Sequence, residues 1–378
     1  MFIKIKSLVK KYYKQAYLSL FLLLLAYILL VPLTKIDKSM ISKQENRNLA
    51  KAAELRKNGR FNEKYGKEFD AWLSDRFRGR LKLVNLYTDV NNYIIGKLEN
   101  SRAMKGKDGF LFYKGDGSVA NYQNRFLFTE AELEKIRNNI IKRRKILAEQ
   151  GIQYYVMIAP DKNRVYGENY PDDYIIKYAE QGRAEQLVEY MNNNGIDIVY
   201  PLNTILEAKK EGAVYFRLDT HWNNYATFLG YTEMMQEVAK NNPDVKSLTF
   251  DDFVKESVPE KGGDLLGMLN IKLKEVEIPD NKVISLKKKT KYNYTYLRNE
   301  DKKGVEIVNK NPLNNLRLLM LRDSFTNAMV PYFSETFSEA KYIWDHNFNA
   351  NYEAIRAYKP DIVIHEIVER YAHVLLLD

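Results

Sequence analysis

The sequence predicts an α/β protein: a parallel sheet flanked by helices, with a β-rich insertion and one N-terminal transmembrane helix. Three observations predict it. Helical segments alternate with short apolar runs from Thr129 to the last residues, the signature of parallel strands joined by helical crossovers. A stretch rich in Lys, Asn and Tyr, Leu248–Lys310, interrupts that alternation. Near the start, five lysines precede a long apolar run.

That run is Ala16–Leu33, broken only by Ser19 and Pro32, and it follows Lys4, Lys6, Lys10, Lys11 and Lys14. About twenty apolar residues cross a bilayer core, and the positive flank stays cytoplasmic. No small-residue cleavage site follows Leu33, so the run is expected to be an uncleaved signal anchor. The expected order is a cytoplasmic basic segment (1–15), a single-pass anchor (16–33), a helical linker region (34–100) and an extracytoplasmic catalytic domain (101–378). The insertion falls at about 246–312. With no cysteine among 378 residues, disulfides, thiolate nucleophiles and Cys-ligated zinc are excluded. The net charge of +10 does not suggest nucleic acid outside the cytoplasm. Anionic headgroups or an acidic envelope polymer suit it, as do lysines that simply solubilise.

Taken in order, Phe61–Asn100 spaces Tyr65, Phe69, Trp72, Leu73 and Phe77 three and four apart, as an amphipathic helix does. Asp108-Gly109 between apolar runs marks a hairpin turn with positive φ. Thr129-x-x-Glu132 is a capping box opening a helix that faces inward with Leu133, Ile136, Ile140 and Leu147 and stops at Gly151. Ile152–Ala159 is continuously apolar, as in a strand covered on both faces. A helix over Glu180–Asn194 leads into a strand at Ile196–Tyr200, and another helix spans Asn223–Lys240. In the insertion, Tyr292, Tyr294 and Tyr296 alternate as on a strand with one wet face; such a surface suits either sugar or a plain solvated hairpin. Leu316–Leu321, a helix over Phe325–Phe333, Lys341–Trp344, a helix ending near Tyr358 and Asp361–Val368 complete the pattern.

The chemistry centres on Asp219-Thr220-His221-Trp222, just before a helix start. In extended chain, residues two apart point the same way. Asp219 can therefore hold one ring nitrogen of His221 and leave the other free to take a proton. The candidate nucleophile is Ser324, at a strand–turn–helix junction in Leu321-Arg322-Asp323-Ser324-Phe325. A helix start there offers amides to a developing oxyanion, although a serine at that position also serves as an ordinary N-cap. Asp161 and Lys162 follow a strand end, and Lys162 could bind substrate or pair with a neighbouring acid. His365-Glu366-x-x-Glu369 matches only part of a zinc-binding His-Glu-x-x-His helix and lies in a strand pattern, so no metal site is predicted. His346 and His373 read as surface or packing residues.

These residues carry a family resemblance. Asp-x-His-Trp, followed much later by a strand ending in Asp-Ser-Phe, resembles the alginate O-acetyltransferase, DHHW-type branch of the SGNH hydrolase superfamily. Gly106–Tyr113, Pro160-x-Lys162, Gly263-Asp264-Leu265 and Glu366-x-x-Glu369-Arg370 fall in that branch's order, over roughly residues 60–372. The resemblance implies an SGNH-like sheet and an anchored enzyme that moves acetyl groups onto polysaccharide hydroxyls. Ser324, His221 and Asp219 would be catalytic, with Arg322, Asp323, Lys162, Trp222, Glu366 and Arg370 around the oxyanion or substrate. One departure is Arg322, standing where a glycine is usual; its side chain is expected to crowd the oxyanion hole. No cofactor is implied. Acetyl groups would come indirectly from acetyl-CoA through a multipass membrane-bound O-acyltransferase partner (MBOAT). An esterase with the same three residues, and a non-catalytic glycan-binding or assembly subunit, are the alternatives.

Overall fold

The computed structural model describes residues 12–13, 15, 17–27, 41–42, 47–57, 59–76, 79–91, 98–271, 282–300 and 304–377. The chain divides into two compact units, Met1–Glu99 and Asn100–Asp378.

In the first unit residues 17–27 are helical, and the remainder of the expected anchor at 16–33 lies outside the described residues. Among the described residues no helix is long and apolar enough to cross a membrane. The expected helical linker is partly β: Ile41–Ser42 pairs with Arg47–Asn48, and Arg56–Lys57 with Arg60–Phe61. Two helices follow, α1 (Tyr65–Arg76) and α2 (Arg80–Val90). Gly79, at φ 94°, lies between them and splits what the spacing read as one amphipathic segment.

The second unit opens with a hairpin, β1 (Ala103–Lys105) and β2 (Leu111–Tyr113). Its turn places Asp108 at φ 51° and Gly109 at φ 76°, the left-handed pair that a type I′ turn needs. Helix α3 (Glu130–Ala148) begins at the Thr129 capping box, in which the Thr129 amide donates to Glu132 (2.8 Å). Strand β3 (Gln153–Ala159), α4 (Arg183–Asn193), α5 (Asn224–Ala239), β4 (Phe253–Pro259) and β5 (Lys282–Lys288) come next. They precede β6 (Tyr294–Glu300), β7 (Gly304–Asn309), β8 (Asn314–Leu321), α6 (Val330–Thr336), β9 (Phe337–Ile343), α7 (Phe348–Tyr358) and β10 (Ile362–Val368).

Six strands form one sheet in the order β6-β7-β9-β8-β10-β3. The four strands β9, β8, β10 and β3 are mutually parallel. The other two run antiparallel to their inner neighbours, β6 on β7 and β7 on β9. The sheet is therefore mixed, not purely parallel. The insertion is not a separate β module, because β6 and β7 extend the main sheet while β4 and β5 pair as a ribbon. Strand β7 joins because its alternation gives it one buried face, with Val305, Ile307 and Asn309 inward.

Alternate side chains of the central strands feed two cores. Met157, Leu318, Met320, Ile362 and Ile364 face α5 and α6, where Phe228, Met234 and Phe333 are fully buried. Val156, Ile158, Leu319, Leu321, Val363 and Ile367 face α3, α4 and α7 through Ile136, Ile140, Leu187, Met191 and Ile355. Burial on both faces explains why β3 and β10 read as unbroken apolar runs.

Two further expectations change. Residues 196–200 form no full strand; Val199 makes a single bridge to Met157 before Pro201 starts a short helix. After Ser324 the chain takes a 3₁₀ turn, Ser324–Ala328, and only then α6. Pro331, which has no N–H to give to the preceding turn, begins a helix more readily than it continues one.

Candidate active site

Strands β8, β10 and β3 are parallel neighbours, so their carboxyl ends share one rim, where α/β sheets place their ligands. Ser324 follows β8, Glu369 and Arg370 follow β10, and Asp161 and Lys162 follow β3. The loop of residues 217–222 meets that rim through Lys162. The buried ammonium of Lys162 donates to the carbonyls of Leu111 (2.6 Å), Arg217 (2.7 Å) and Asp219 (3.0 Å). It lies over the rings of Phe110 and Phe112 as well, and burial pulls its pKa down to about 7. Neither alternative expected of Lys162 matches this arrangement; its three donors fix backbone.

The same loop is held from its other side. Glu260 accepts the amides of Arg217 (2.9 Å) and Leu218 (2.7 Å). Gly263 sits so close that a Cβ there would fall 2.2 Å from the Leu218 carbonyl oxygen. That approach brings the Asp264 amide to Asp219 Oδ2 at 2.9 Å. The Asp264 carboxylate in turn accepts the Thr220 amide (2.8 Å) and hydroxyl.

Asp219 Oδ1 accepts from His221 Nδ1 (2.7 Å) and from the His221 amide (3.0 Å). Ser324 Oγ lies 2.8 Å from His221 Nε2. Burial works against the Asp219 charge. The His221 hydrogen bonds and charge and the Asp264 amide outweigh it, leaving the carboxyl at about 2. Burial also disfavours the imidazolium, yet the hydrogen bond and charge of Asp219 raise the His221 pKa overall. An ionised Asp219 fixes Nδ1 as a donor, which leaves Nε2 to accept the serine proton. Trp222, buried, ties the two halves together: its indole donates to the Phe325 carbonyl (3.0 Å) and meets the Phe325 ring edge-on.

The serine turn has its own supports. Asp323 accepts the amides of Phe325 (2.9 Å) and Val368 (2.7 Å), joining the ends of β8 and β10. Although burial opposes it, His346, with Nε2 3.5 Å from Asp323, and those amides lower the Asp323 pKa. Glu366 accepts the Asp323 amide (3.2 Å) and the Thr326 hydroxyl (2.6 Å), and its buried Oε1 has no hydrogen-bond partner among the described residues. Burial and the Asp323 charge push the Glu366 pKa well above the usual carboxylate range. Arg322 does not point as the sequence suggested. Its guanidinium donates to Asn327 (2.7 Å) and the Asp323 carbonyl and lies 4.4 Å over the Trp344 ring.

Arg370 is buried against Asp161, bonded through both its guanidinium and its amide. The guanidinium also lies over Tyr113 and Phe325, and the Phe325 ring is 5.0 Å from that of His221. Glu369 is a hub, accepting from Asn121, Arg164, Tyr200 and the Asp161 amide. Sequence reasoning gave Glu260 and Asp264 no chemical role, although Asp264 lies in the Gly263-Asp264-Leu265 piece that carries the family resemblance; the signal of Glu260, an acid ahead of a Gly-Gly pair, was weak. His346, read as a surface or packing residue, stacks on His365 (5.7 Å) with its Nε2 3.5 Å from Asp323.

Among the described residues, Asp219, His221 and Asp264 bring ligand-type atoms within 4.8 Å of one another, the set that could hold a cation. In it Asp219 and His221 bond each other directly and Asp264 serves Thr220.

Fold and rim together define an SGNH-hydrolase-like α/β protein. Residues 103–301 match the family model described as "SGNH hydrolase-like domain, acetyltransferase AlgX", and the chain belongs to that family. It is 30% identical over 128 residues to the probable alginate O-acetylase AlgJ of Azotobacter vinelandii. That match takes in 31% of this chain and 33% of the relative, so only about a third of the curated relative's length is spanned. Among solved structures, Bacillus cereus PatB1 superposes with a TM-score of 0.51 at 18% identity, over 71% of this chain and 95% of that one. PatB1 with a sulfonyl adduct gives 0.50 at 17% identity, over 73% and 100%. These two share the fold.

Proposed function

We propose that this protein is an extracytoplasmic O-acetyltransferase that moves acetyl groups onto hydroxyls of a cell-surface or secreted polysaccharide through an acyl-serine. The observation that carries the reading is the unbroken hydrogen-bonded line Asp219–His221–Ser324, at 2.7 and 2.8 Å. His221 Nε2 takes the Ser324 proton as Oγ attacks the acetyl carbonyl, and Asp219 stabilises the imidazolium. The proton then passes to the leaving group of the donor. A sugar hydroxyl, deprotonated by His221, attacks the acyl-serine and releases Ser324. The Ser324 amide, for which no acceptor occurs among the described residues, is the proposed oxyanion donor.

Beside the Asp219 loop lies a cavity of about 530 Å³ lined by Phe110, Arg217, Lys255 and Lys282 among others, a suitable place for the acceptor chain. In this reading the apolar run 16–33 anchors the chain in the membrane. A multipass acyltransferase would then deliver acetyl groups drawn from cytoplasmic acetyl-CoA. Neither cofactor nor nucleic acid takes part.

The test is labelling with a fluorophosphonate, followed by acetyl transfer from a p-nitrophenyl ester to oligosaccharide. Adduct at Ser324, and acetylated sugar that disappears in Ser324→Ala, are expected. Acetate release that added oligosaccharide does not divert would mark a hydrolase instead. Unchanged polymer acetylation in Ser324→Ala, His221→Ala and Asp219→Ala would leave only a binding role.

A further inference from the structure

The outer strand of the sheet and the residues just before it carry an aromatic ladder that the rim chemistry does not use. Ring centroids of Tyr292 and Tyr294 are 5.5 Å apart, and those of Tyr294 and Tyr296 are 5.9 Å apart, close to the length of one pyranose ring. Tyr294 packs against the core, while Tyr292 and Tyr296 are 36% and 54% exposed. The ladder is pinned from below. Glu335, buried, accepts from Lys288 (2.8 Å) and from the Asn293 amide (2.8 Å) and side chain (2.9 Å). These bonds hold the approach to Tyr292 and occupy the nearest acid.

Charge in the segment that leads into the ladder is one-sided. From residue 282 to 297 there are five lysines and neither Asp nor Glu. Lys288 is the one paired with Glu335. Lys287, Lys289 and Lys291 are exposed, and none makes an ion pair with the described residues. The rings are tilted by 49° and 78° to their neighbours and Lys288 lies over that of Tyr292; exposed aromatic side chains such as Tyr296 suit the C–H faces of sugars, and uncompensated ammonium groups suit carboxylates or phosphates. A ligand offering both is an acidic polysaccharide.

We infer that Tyr292, Tyr294 and Tyr296, with Lys287, Lys289 and Lys291, form a second, non-catalytic site that holds an acidic polysaccharide. The inference deepens the polysaccharide reading and rests on it for the natural ligand. Strand β6 runs in the same direction as β8, and Tyr294, paired with Asn309, stands at its start. Ser324 follows the far end of β8, so the ladder lies roughly 20 Å below the rim at the usual rise per residue. A polymer several sugars long can be held at the ladder while one of its units lies at the rim.

The experiment measures binding in the full-length Ser324→Ala chain, so that its outcome is independent of acetyl transfer. Polygalacturonate is titrated against dextran, poly-glutamate and phosphatidylglycerol vesicles. Polygalacturonate should bind at least about tenfold more tightly than dextran or poly-glutamate. Tyr292→Ala/Tyr296→Ala should weaken it by about tenfold or more. Lys287→Gln/Lys289→Gln/Lys291→Gln should weaken it and flatten its salt dependence. With Ser324 restored, hydrolysis of a small acetyl ester should be unchanged in both variants. The lysine variant and Tyr296→Ala alone alter exposed side chains and serve if the double tyrosine variant fails to fold. Unchanged polygalacturonate affinity in the lysine variant and in Tyr296→Ala overturns the inference. So does poly-glutamate binding as tight as polygalacturonate, or a parallel loss of vesicle binding.

Discussion

Adding one methyl group at Gly263 should disable the rim without touching a reacting atom. A Cβ there would lie 2.2 Å from the Leu218 oxygen, 2.4 Å from the Leu218 carbon and 2.6 Å from the Asp219 nitrogen. All three are backbone atoms, so no flexible tip can swing aside. The backbone of Gly263 must withdraw from the loop, and Asp264 N moves with it away from Asp219 Oδ2. A hydrogen bond to a charged group contributes about 1.5–3 kcal/mol. If that support goes to orienting Asp219 against His221, kcat/KM in Gly263→Ala should fall about ten- to a hundredfold. The assay is p-nitrophenyl acetate turnover beside a thermal melt, with fluorophosphonate labelling rate as a second readout. A folded Gly263→Ala protein with parental turnover and labelling would refute the idea that the Asp264 amide positions Asp219.

Asp219→Asn should lower kcat by about a thousandfold or more. Because Asp219 raises the His221 pKa, and His221 must be neutral to accept a proton, its acid limb should move to lower pH in a pH–rate profile. Lys162→Met strands the carbonyls of Leu111, Arg217 and Asp219; at about 1–3 kcal/mol each it should depress both Tm and activity, and Lys162→Arg should not restore them. Glu366, whose pKa is raised on folding, binds more protons folded than unfolded. Its contribution to stability is full below the ordinary carboxylate pKa and is lost as pH rises through the folded value. Urea titrations at pH 5 and 8 should therefore show a smaller loss with rising pH in Glu366→Gln than in the parent.

What the sequence made legible was whatever depends on local periodicity or on side chains two residues apart. Strands β3 and β10 were readable because burial on both faces leaves them wholly apolar, and α3 because Thr129 and Glu132 announce its start. The pairing of Asp219 with His221 follows from extended geometry alone. Ser324, a hundred residues on, could be joined to them only through strand–turn–helix context and family resemblance. The supports of the loop were hidden because they are long-range backbone bonds. Nothing local tells that the Lys162 ammonium will end on three carbonyls, or that Gly263 is small because Leu218 needs the space. Arg322 misled for a related reason: its position in sequence said nothing of Trp344, whose ring draws the guanidinium. The insertion misled through the sheet. The alternation of Tyr292, Tyr294 and Tyr296 marked a strand with one wet face, but not that β7 would tie it to β9 in the main sheet.

That last pairing has a practical consequence. Because β7 supplies the outer hydrogen-bonding partner of β9, residues 304–309 cannot be trimmed away as a peripheral loop to give a smaller protein. Removing them would bare the 339–343 edge of a strand that carries the buried Ala340 and Tyr342, an open template for pairing between molecules. Shortened versions intended for crystals or assays should therefore keep the chain through Asn309.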